Sequence, residues 1–523
     1  NEHFHVEYWD GSQWVLLRDY DGSWPEAFVW ESFTLMPGSY SDTLQVRFNM
    51  IDGTTDAWQI DSVVVQEGPA IDAAVAEVIS PSGSLCPGSV TPVVGVENIG
   101  STTLDSVKVY WDINGVIDSL TYIGTINMGD TAAVTLSTLN VQAGQLYDIK
   151  FYTGMPNGIA DERPVNDTLS INGLKTGLVG NYTLDASQAS SATNYTSFSS
   201  LADDLNNFGV CGAVNVDVAA GVYNDVFHLN NIGGVSAANR VTIDGVDSSL
   251  ARLTNNLSSA DAVMDFMGAS YITVKNMTIE SSYTGSGDYA VVHYGAAANY
   301  DSLINCHILL DPTNTSGGMG IGASTSADND LGEGDNANFT VIMNNHVEGG
   351  SYSIHFEGKS TGEWNVGNEF INNTLYNMDD YGIYLDQQDS VSVIGNHISG
   401  NRSSFGDGIY AFDAMNFICN KNFVHSPDYG IYWADANSDK TRDRIAEVNN
   451  NMVISDGDYG IYMTDAVDVN VMHNSVYVEG SSPAFRVFGS LSSGLDVRNN
   501  IFTSLNSEAF ESGEPDTIFI KLD

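Results

Sequence analysis

The chain has 523 residues, of which 42% are hydrophobic and only 16% are charged. It carries 66 acidic and 18 basic residues, which gives a formal net charge of −48. This excess of negative charge repels nucleic acids and anionic lipids, which proteins bind mainly through lysine and arginine. It favours bound cations such as Ca²⁺. No run of about 18 apolar residues occurs, so we expect no membrane-spanning helix.

The length predicts two to four domains, and 51 glycines without long helical periodicity predict mainly β structure. The four cysteines are far apart and form no CxxC pair, which excludes a zinc ribbon. We expect isolated buried thiols, with one long-range disulfide as the open alternative. The cysteines are Cys86, Cys211, Cys306 and Cys419. Asn1 opens directly into strand-like sequence, so we expect a piece of a longer polypeptide with further domains.

Residues 1–68 alternate apolar and polar side chains, as in 5–9, 14–17 and 44–48. Alternation of this kind is typical of half-buried strands. The segment 56–63 resembles the last strand of MAM or carbohydrate-binding jelly-roll modules. The resemblance implies a partial jelly-roll module at the start of the chain.

A Gly68-Pro69 hinge precedes a series of short strand-like segments that runs to about Gly177. Segments 93–100 and 107–115 resemble immunoglobulin-like CARDB domains. The resemblance implies a β-sandwich over residues 69–178 that acts as a spacer. No cluster of acids, bases or nucleophiles stands out in this stretch, which also favours a spacer.

One short amphipathic helix is predicted near residue 200. Phe198, Leu201, Leu205 and Phe208 fall on one helical face, with Ser197 as N-cap and Gly209 as stop. A helix here would cover the open edge of the first coil of a β-solenoid.

The last part of the chain repeats an apolar strand that ends in Asn and is followed by an inward aliphatic residue. The Asn positions are Asn276, Asn305, Asn344, Asn372, Asn420, Asn450 and Asn499, and Gly395 and His473 hold the same register. Asn tolerates the left-handed backbone of a sharp turn, and stacked amides hydrogen-bond to one another.

A second pattern, Gly-Ile-Tyr, recurs at 382–384, 408–410, 430–432 and 460–462 and interleaves with the first at about half a coil. Coils of about 22 to 30 residues with two alternating strand patterns predict a right-handed parallel β-helix over residues 179–523. This region resembles the pectate-lyase-like β-helix repeat. The predicted class is therefore all-β, with a capping helix before the β-helix.

Loop insertions follow the Gly-Ile-Tyr strands and should project from one side of the rod, which in solenoids is often the binding side. They occupy residues 323–338, 357–368 and 434–447. Variation in length from coil to coil, without any binding role, would also produce such insertions. Together with the tyrosines they predict a carbohydrate-binding surface. Its candidate residues are Tyr384, Tyr410, Tyr432, Tyr462, Trp433, Trp364, Lys359, Arg442 and Arg444.

Two series of aspartates flank the same strands. Asp380, Asp407, Asp428 and Asp458 precede them, and Asp386, Asp413, Asp435 and Asp465 follow. In register they would lie about 5 Å apart and repel one another unless cations intervene. We expect Ca²⁺ sites or acid/base pairs here, or simply turn aspartates. The tyrosines likewise offer either sugar contacts or a ladder that stabilises the sheet.

The active-site signatures of β-helix lyases, pectin esterases and polygalacturonases are not found, so no catalytic residue is assigned. The order of the predicted modules resembles secreted surface proteins of Bacteroidota, often exported by the type IX system. Repeated Asp-(Ser/Thr)-aliphatic triplets resemble the O-glycosylation motif of such proteins. We expect an extracellular or cell-surface adhesin that engages polysaccharide through one side of the β-helix. The alternatives are a polysaccharide lyase or glycosidase on the same face, and a structural part of a surface filament or sheath.

Overall fold

A computed structural model gives the structure of the chain. It describes residues 3–21, 31–33, 35, 43–51, 60–65, 68–80, 85–142, 145–256, 261–285, 287–311, 317–359, 364–400, 402–437, 445–513 and 518–523. The chain forms two compact units: residues 1–83 with 88–175, and residues 84–87 with 176–523.

The described residues of the first unit form four small antiparallel sheets. Their strands, in spatial order, are Trp14–Asp21, His3–Trp9 and Val46–Ile51; Ala73–Ser80, Val93–Asn98 and Thr131–Thr135; Thr168–Lys175, Leu146–Gly154, Leu104–Ile113 and Val116–Ile126; and Leu139–Val141 with Gly88–Val90. A single 3-10 turn spans Pro156–Gly158. Much of the MAM-like segment 56–63 lies outside the described residues.

Alternation within the strands builds the core of this unit. In Leu104–Ile113 the side chains of Val107, Val109 and Trp111 are buried. Phe151 pairs with Trp111 across the sheet and is also buried. Period-two burial thus places one face of each of these strands inside. The β-sandwich over residues 69–178 stays a prediction.

The predicted helix is confirmed over Phe198–Phe208. The Ser197 hydroxyl accepts a hydrogen bond from the Ser200 amide at 3.2 Å, and Gly209 ends the helix with a positive φ of 65°. The buried face packs on the first coil, where Phe198 contacts Phe227 with ring centroids 5.6 Å apart. No helix among the described residues is long and apolar enough to cross a membrane.

The second unit is a parallel β-helix with three long sheets, which we call A, B and C. Sheet A contains Asn194–Tyr195, Leu178–Leu184, Val210–Val218, Val241–Asp244, Ile272–Lys275, Ser302–Ile304, Val341–Met343, Glu369–Ile371, Ser392–Ile394, Ile418–Asn420, Ala446–Asn449, Val469–Met472, Leu495–Arg498 and Phe519–Leu522. Sheet B contains Gly221–Asn224, Ala251–Asn255, Thr278–Ser281, His307–Leu310, His346–Glu348, Thr374–Tyr376, His397–Ser399, Phe423–Ser426, Met452–Ser455, Ser475–Val478 and Ile501–Ser504.

Sheet C carries the Gly-Ile-Tyr repeats. Its strands are Phe227–Leu229, Ala262–Met267, Tyr289–Gly295, Gly318–Ala323, Tyr352–Glu357, Tyr381–Asp389, Asp407–Met415, Ile431–Ala434, Ile461–Thr464, Phe485–Phe488 and Phe510–Ser512, and Asn365–Val366 pairs beside Tyr381–Asp389. The second residue of each repeat stacks in register with the next, and all are fully buried: Ile383, Ile409, Ile431 and Ile461. The core is therefore a continuous aliphatic column.

The Asn positions of the first repeat have the left-handed backbone that was predicted. Asn344, Asn372 and Asn450, for example, have φ of 56°, 52° and 58°. At one coil the register was wrong: the left-handed residue is Lys421, not Asn420.

The buried amide ladder is formed by the residue after each of these corners. Its members are Asn345, Asn373, Asn396, Asn422, Asn451, Asn474 and Asn500. From Asn373 onward each side-chain oxygen accepts from the amide N–H and the Nδ2 of the preceding ladder residue, at 2.8–3.1 Å. The oxygen of Asn345, the first member, accepts from the Cys306 N–H at 2.9 Å. The backbone N–H of the residue after each of these corners is hydrogen-bonded in the same way, so successive coils turn in the same orientation at this edge.

The long-range disulfide that was the open alternative is present between Cys86 and Cys211. Cys306 and Cys419 are free and buried, as expected for isolated thiols. Both bridged cysteines belong to the second unit, since the segment 84–87 is part of it.

Candidate functional site

Eight tyrosines form two rows along the outer face of sheet C, which we call the tyrosine stripe. The inner row is Tyr384, Tyr410, Tyr432 and Tyr462, and the outer row is Tyr352, Tyr381, Tyr429 and Tyr459. All eight side chains are half-buried. The inner-row side chains point outward because they alternate with the buried isoleucines and other core residues of the same strands.

The rings of the inner row stack on one another rather than on open solvent. Tyr384 and Tyr410 are parallel, with centroids 5.2 Å apart and an interplanar angle of 5°. Tyr432 breaks the stack, since it meets Tyr410 at 67° and 4.9 Å. The faces of the rings are thus largely covered by neighbouring rings, and the edges and hydroxyl groups are what the stripe offers to a ligand.

The hydroxyl groups of the stripe are neutral donors and acceptors. Burial raises the pKa of Tyr410 and of Tyr432 to about 12, and neighbouring tyrosines add to the shift. The Tyr429 hydroxyl is hydrogen-bonded to Asp458. The Arg486 guanidinium ends the inner row, 5.0 Å from the Tyr462 ring centroid.

The first aspartate series is not one column. Asp407 lies in register with Tyr381, so it occupies a position in the outer tyrosine row. Its carboxylate accepts from the Tyr429 amide at 3.1 Å and is only 5% exposed. Burial raises the pKa of Asp407 to about 7, and Asp428 and Asp458 add to the shift.

The other members of that series, Asp380, Asp428 and Asp458, precede the outer row and are half-buried. Burial, and then the charge of Asp458, raise the pKa of Asp428. The expectation of four stacked carboxylates was therefore wrong by one residue at Asp407, because Asp407 directly precedes its glycine whereas a tyrosine separates the two in the other three repeats.

The second series also needs correction. Asp413, Asp435 and Asp465 share a corner with positive φ between 44° and 51°, and the residue in register with them is Gln387. Asp386 lies one residue earlier, on the strand. A turn preference of aspartate for left-handed backbone accounts for these three corners. Among the described residues, no three carboxylates of either series bring ligand atoms together within 4.8 Å.

Asp386 instead meets Glu357, its register partner on the neighbouring strand. The two carboxyl groups are hydrogen-bonded to each other and are 9% and 3% exposed. Burial raises the pKa of both, and for Asp386 the charge of Glu357 is the next cause. This pair therefore holds a proton at neutral pH.

His355 completes this cluster beneath the inner row. Its ring is fully buried, stacks on Tyr384 at 4.5 Å, and places Nε2 3.3 Å from a Glu357 oxygen. Burial lowers the pKa of His355 to about 4, so the imidazole is neutral. His355 is in register with Tyr384 and so holds the tyrosine position of its strand, but the repeat did not show that Glu357 and Asp386 would lie side by side.

The remaining predicted sugar contacts have mixed outcomes. Trp433 is wrong as a surface residue: it follows the outward Tyr432, so it points inward, is fully buried and packs on Phe417 at 5.0 Å. Lys359 and Trp364 are half-buried. Arg442 and Arg444 lie outside the described residues.

Comparisons with known proteins find a family match within the second unit and several solved structures of low similarity. The sequence profile of the right-handed β-helix region matches residues 331–502. No curated protein sequence matches the chain. The A-module of a mannuronan C-5 epimerase from Azotobacter vinelandii is 13% identical, covering 64% of this chain and 90% of that chain with a TM-score of 0.44.

Two further solved structures are more distant. A family 28 exopolygalacturonase of Yersinia enterocolitica is 10% identical over 82% of this chain and 81% of that chain, with a TM-score of 0.28. A CARDB domain from Pyrococcus furiosus, solved in complex with di-metal ions, is 19% identical over 23% of this chain and 98% of that chain, with a TM-score of 0.17. The profile match and the three parallel sheets together identify a right-handed parallel β-helix region in the second unit.

Proposed function

We propose that the chain binds a neutral polysaccharide along the tyrosine stripe. The observation that carries the proposal is the in-register repetition of the inner tyrosine row over four consecutive strands of sheet C. The outer row runs beside it and is interrupted by Asp407. A solenoid repeats at about 4.8 Å per coil, so the hydroxyl groups form a linear array. A linear, hydroxyl-rich polymer is the ligand that such an array suits.

The charge around the stripe favours a neutral rather than an acidic polymer. The chain as a whole has a formal charge of −48, and Asp380, Asp428 and Asp458 border the outer row. A polyuronate would meet this field as a like charge and be repelled. Carboxylates accept hydrogen bonds from sugar hydroxyls, and phenol groups both donate to them and accept from them. None of these bonds needs a charge on the sugar.

The setting that we propose is extracellular or at the cell surface. The Cys86–Cys211 disulfide supports this, because disulfides persist in oxidising compartments. An adhesin or other binding protein fits a long, open array better than an enzyme with one reaction centre does.

The test replaces hydroxyl groups while it keeps the rings. In the full chain, Tyr384→Phe, Tyr410→Phe and Tyr432→Phe are combined, and the matched control is Tyr477→Phe, a half-buried tyrosine on sheet B. Binding is screened on a glycan array and quantified by affinity electrophoresis in gels that contain the best neutral polysaccharide.

We expect the wild-type chain and Tyr477→Phe to be retarded equally and the triple variant to lose at least tenfold in affinity. Circular dichroism should show all three proteins folded, because phenylalanine preserves the stack. Equal retardation of the triple variant, or binding confined to polyuronates, would refute the proposal.

A second candidate function is hydrolysis of the bound polymer. It is favoured by the Glu357–Asp386 pair, which holds a proton below the end of the inner row. Retaining and inverting glycosidases hold their carboxyls about 5 to 9.5 Å apart, whereas these two are in hydrogen-bond contact. The pair resembles a proton-sharing dyad more closely.

The two candidates separate in one assay. Purified chain is incubated with the neutral polysaccharide that it retains, and reducing ends are measured over time for wild type and Glu357→Gln. We expect no release from either protein. Release by wild type that disappears in Glu357→Gln would establish catalysis in place of simple binding.

A further inference from the structure

Three aspartates from distant parts of the sequence meet in the first unit. Asp72 immediately precedes the strand Ala73–Ser80, Asp161 lies in the loop after the 3-10 turn, and Asp167 immediately precedes Thr168–Lys175. One carboxylate oxygen from each lies within 4.8 Å of the others. The sequence had assigned this region no clustered acids, because the strands that follow Asp72 and Asp167 belong to different sheets and only the tertiary fold brings the two residues together.

Two of these carboxylates are deeply buried and incompletely satisfied. Asp72 is 0% exposed and its Oδ2 has no hydrogen-bond partner; Asp167 is 7% exposed and its Oδ1 has none. The neighbouring Asn166 also has a buried Oδ1 without a partner. A buried oxygen that lacks a donor is destabilising, and native proteins rarely accumulate three together.

The rest of the cluster is held in place by ordinary hydrogen bonds. Asp72 Oδ1 accepts from Asn166 Nδ2 at 2.9 Å. Asp161 accepts from the amide of Ala73 at 2.9 Å and from that of Arg163 at 2.7 Å. These bonds fix the carboxylates and leave the partnerless oxygens of Asp72 and Asn166 as free acceptors.

The three carboxylates also act on one another electrostatically. Burial, and then the charges of Asp161 and Asp72, raise the pKa of Asp167 to about 7. Burial also raises the pKa of Asp72, and Asn166 and Arg163 oppose the shift. A divalent cation among these oxygens would reverse both effects.

We propose that Asp72, Asp161, Asn166 and Asp167 form a binding site for a hard divalent cation, with Ca²⁺ as the preferred ion. Every candidate ligand is a carboxylate or amide oxygen, which is the donor set of Ca²⁺ and Mg²⁺ rather than of zinc. Four protein residues leave coordination positions for water, as Ca²⁺ sites commonly do. The cation would join the segment before Ala73–Ser80 to the segment before Thr168–Lys175.

The experiment uses the full chain, stripped with EDTA and dialysed into 0.15 M NaCl, in which diffuse binding to the acidic surface is screened. Ca²⁺ is titrated by isothermal calorimetry, and thermal unfolding is recorded with and without Ca²⁺. The variants are Asp167→Asn and Asp72→Asn. The matched control is Asp105→Asn, which removes one exposed carboxylate from the same unit.

We expect wild type and Asp105→Asn to bind one Ca²⁺ more tightly than the diffuse background and to unfold at a higher temperature when it is present. Asp167→Asn should no longer bind this Ca²⁺ ion, yet it should unfold at a higher temperature than wild type in EDTA, because the substitution removes a buried like charge. A damaged fold would instead lower the unfolding temperature in EDTA, so the two measurements together distinguish a lost ligand from a damaged fold. If Asp72→Asn is unfolded, Asp167→Asn alone decides the test.

Two results would overturn the proposal. One is a wild-type transition that neither Ca²⁺ nor Mg²⁺ moves. The other is an Asp167→Asn variant that retains the same Ca²⁺-dependent rise as wild type. The other candidate cluster in the first unit, His3, His5 and Asp19, contains imidazole nitrogens and is exposed in part, so Zn²⁺ is not used as the probe.

Discussion

The buried amide ladder should be a main source of stability in the β-helix, and Asn422→Ala tests it. The Asn422 side chain is 1% exposed and makes four hydrogen bonds with oxygen and nitrogen partners, besides one from Nδ2 to Cys419 Sγ at 3.5 Å. Its oxygen accepts from the amide N–H and the Nδ2 of Asn396, at 2.9 and 3.1 Å. Its Nδ2 donates to the Val393 carbonyl at 2.9 Å and to Asn451 Oδ1 at 3.1 Å.

Alanine would not affect these four partners equally. Asn396 Nδ2 keeps a bond to the Phe370 carbonyl, and Asn451 Oδ1 still accepts from the Asn422 amide. The Asn396 N–H loses its acceptor in a buried position, which costs about 1–3 kcal/mol, and each further lost bond costs about 0.5–1.5 kcal/mol. With partial compensation, the free energy of unfolding should fall by about 3 kcal/mol.

The measurement is urea unfolding of the full chain followed by near-ultraviolet circular dichroism. The matched control is Asn470→Ala, a half-buried asparagine on the outer face of sheet A, for which we expect a change within about 0.5 kcal/mol. The reasoning would be refuted if Asn422→Ala unfolded at the same urea concentration as Asn470→Ala.

Two further predictions concern pH and redox conditions. The pKa of Asp407 is raised in the folded chain to about 7, so the folded state binds the proton more tightly and stability should fall as pH rises from about 4 through 7. Asp407→Asn should therefore stabilise the chain at pH 8 and have little effect at pH 4, as measured by thermal unfolding; a destabilised variant at pH 8 would contradict this. Reduction of Cys86–Cys211 opens a loop of 125 residues and should lower stability by up to about 5 kcal/mol in the chain-entropy account. Dithiothreitol should lower the unfolding temperature of wild type but not that of the Cys86→Ser/Cys211→Ser variant, and an equal response of both would show that the bridge contributes nothing.

The fold could be predicted because its signals are local and repeated. A left-handed corner needs Asn or Gly at one position, and an inward aliphatic residue follows at a fixed spacing, so each coil shows the same short pattern. The prediction slipped at Asn420, where the corner is at Lys421. A single coil with a substituted corner residue gives no local signal of which position turns.

The candidate sites could be predicted only where they follow the repeat. The inner tyrosine row has one member in each Gly-Ile-Tyr strand, so its alignment follows from the register of the coils. Glu357 lies on Tyr352–Glu357, which lacks the Gly-Ile-Tyr pattern, and Asp386 lies on Tyr381–Asp389, which has it. The repeat does not show that Asp386 stands one position before the corner at which Asp413 lies. Side-chain direction decided the rest: Trp433 was taken as a surface residue although its neighbour Tyr432 already occupied the outward position.

Chelation separates the two proposals, because the proposed cation site and the tyrosine stripe belong to different units. If Ca²⁺ binds at Asp72 and Asp167, EDTA should lower the unfolding temperature of wild type and leave its affinity for neutral polysaccharide unchanged. If Ca²⁺ were bound by the aspartates of sheet C instead, EDTA should change the affinity for polysaccharide. Asp428 and Asp458 border the outer tyrosine row, and removal of the ion would change the net charge there. The observed register of sheet C favours unchanged glycan affinity in EDTA. Asp407 lies in the outer tyrosine row, and the corner residues Asp413, Asp435 and Asp465 stand apart from that row. Loss of glycan binding in EDTA, restored by Ca²⁺ in an Asp167→Asn background, would place a functional cation at sheet C.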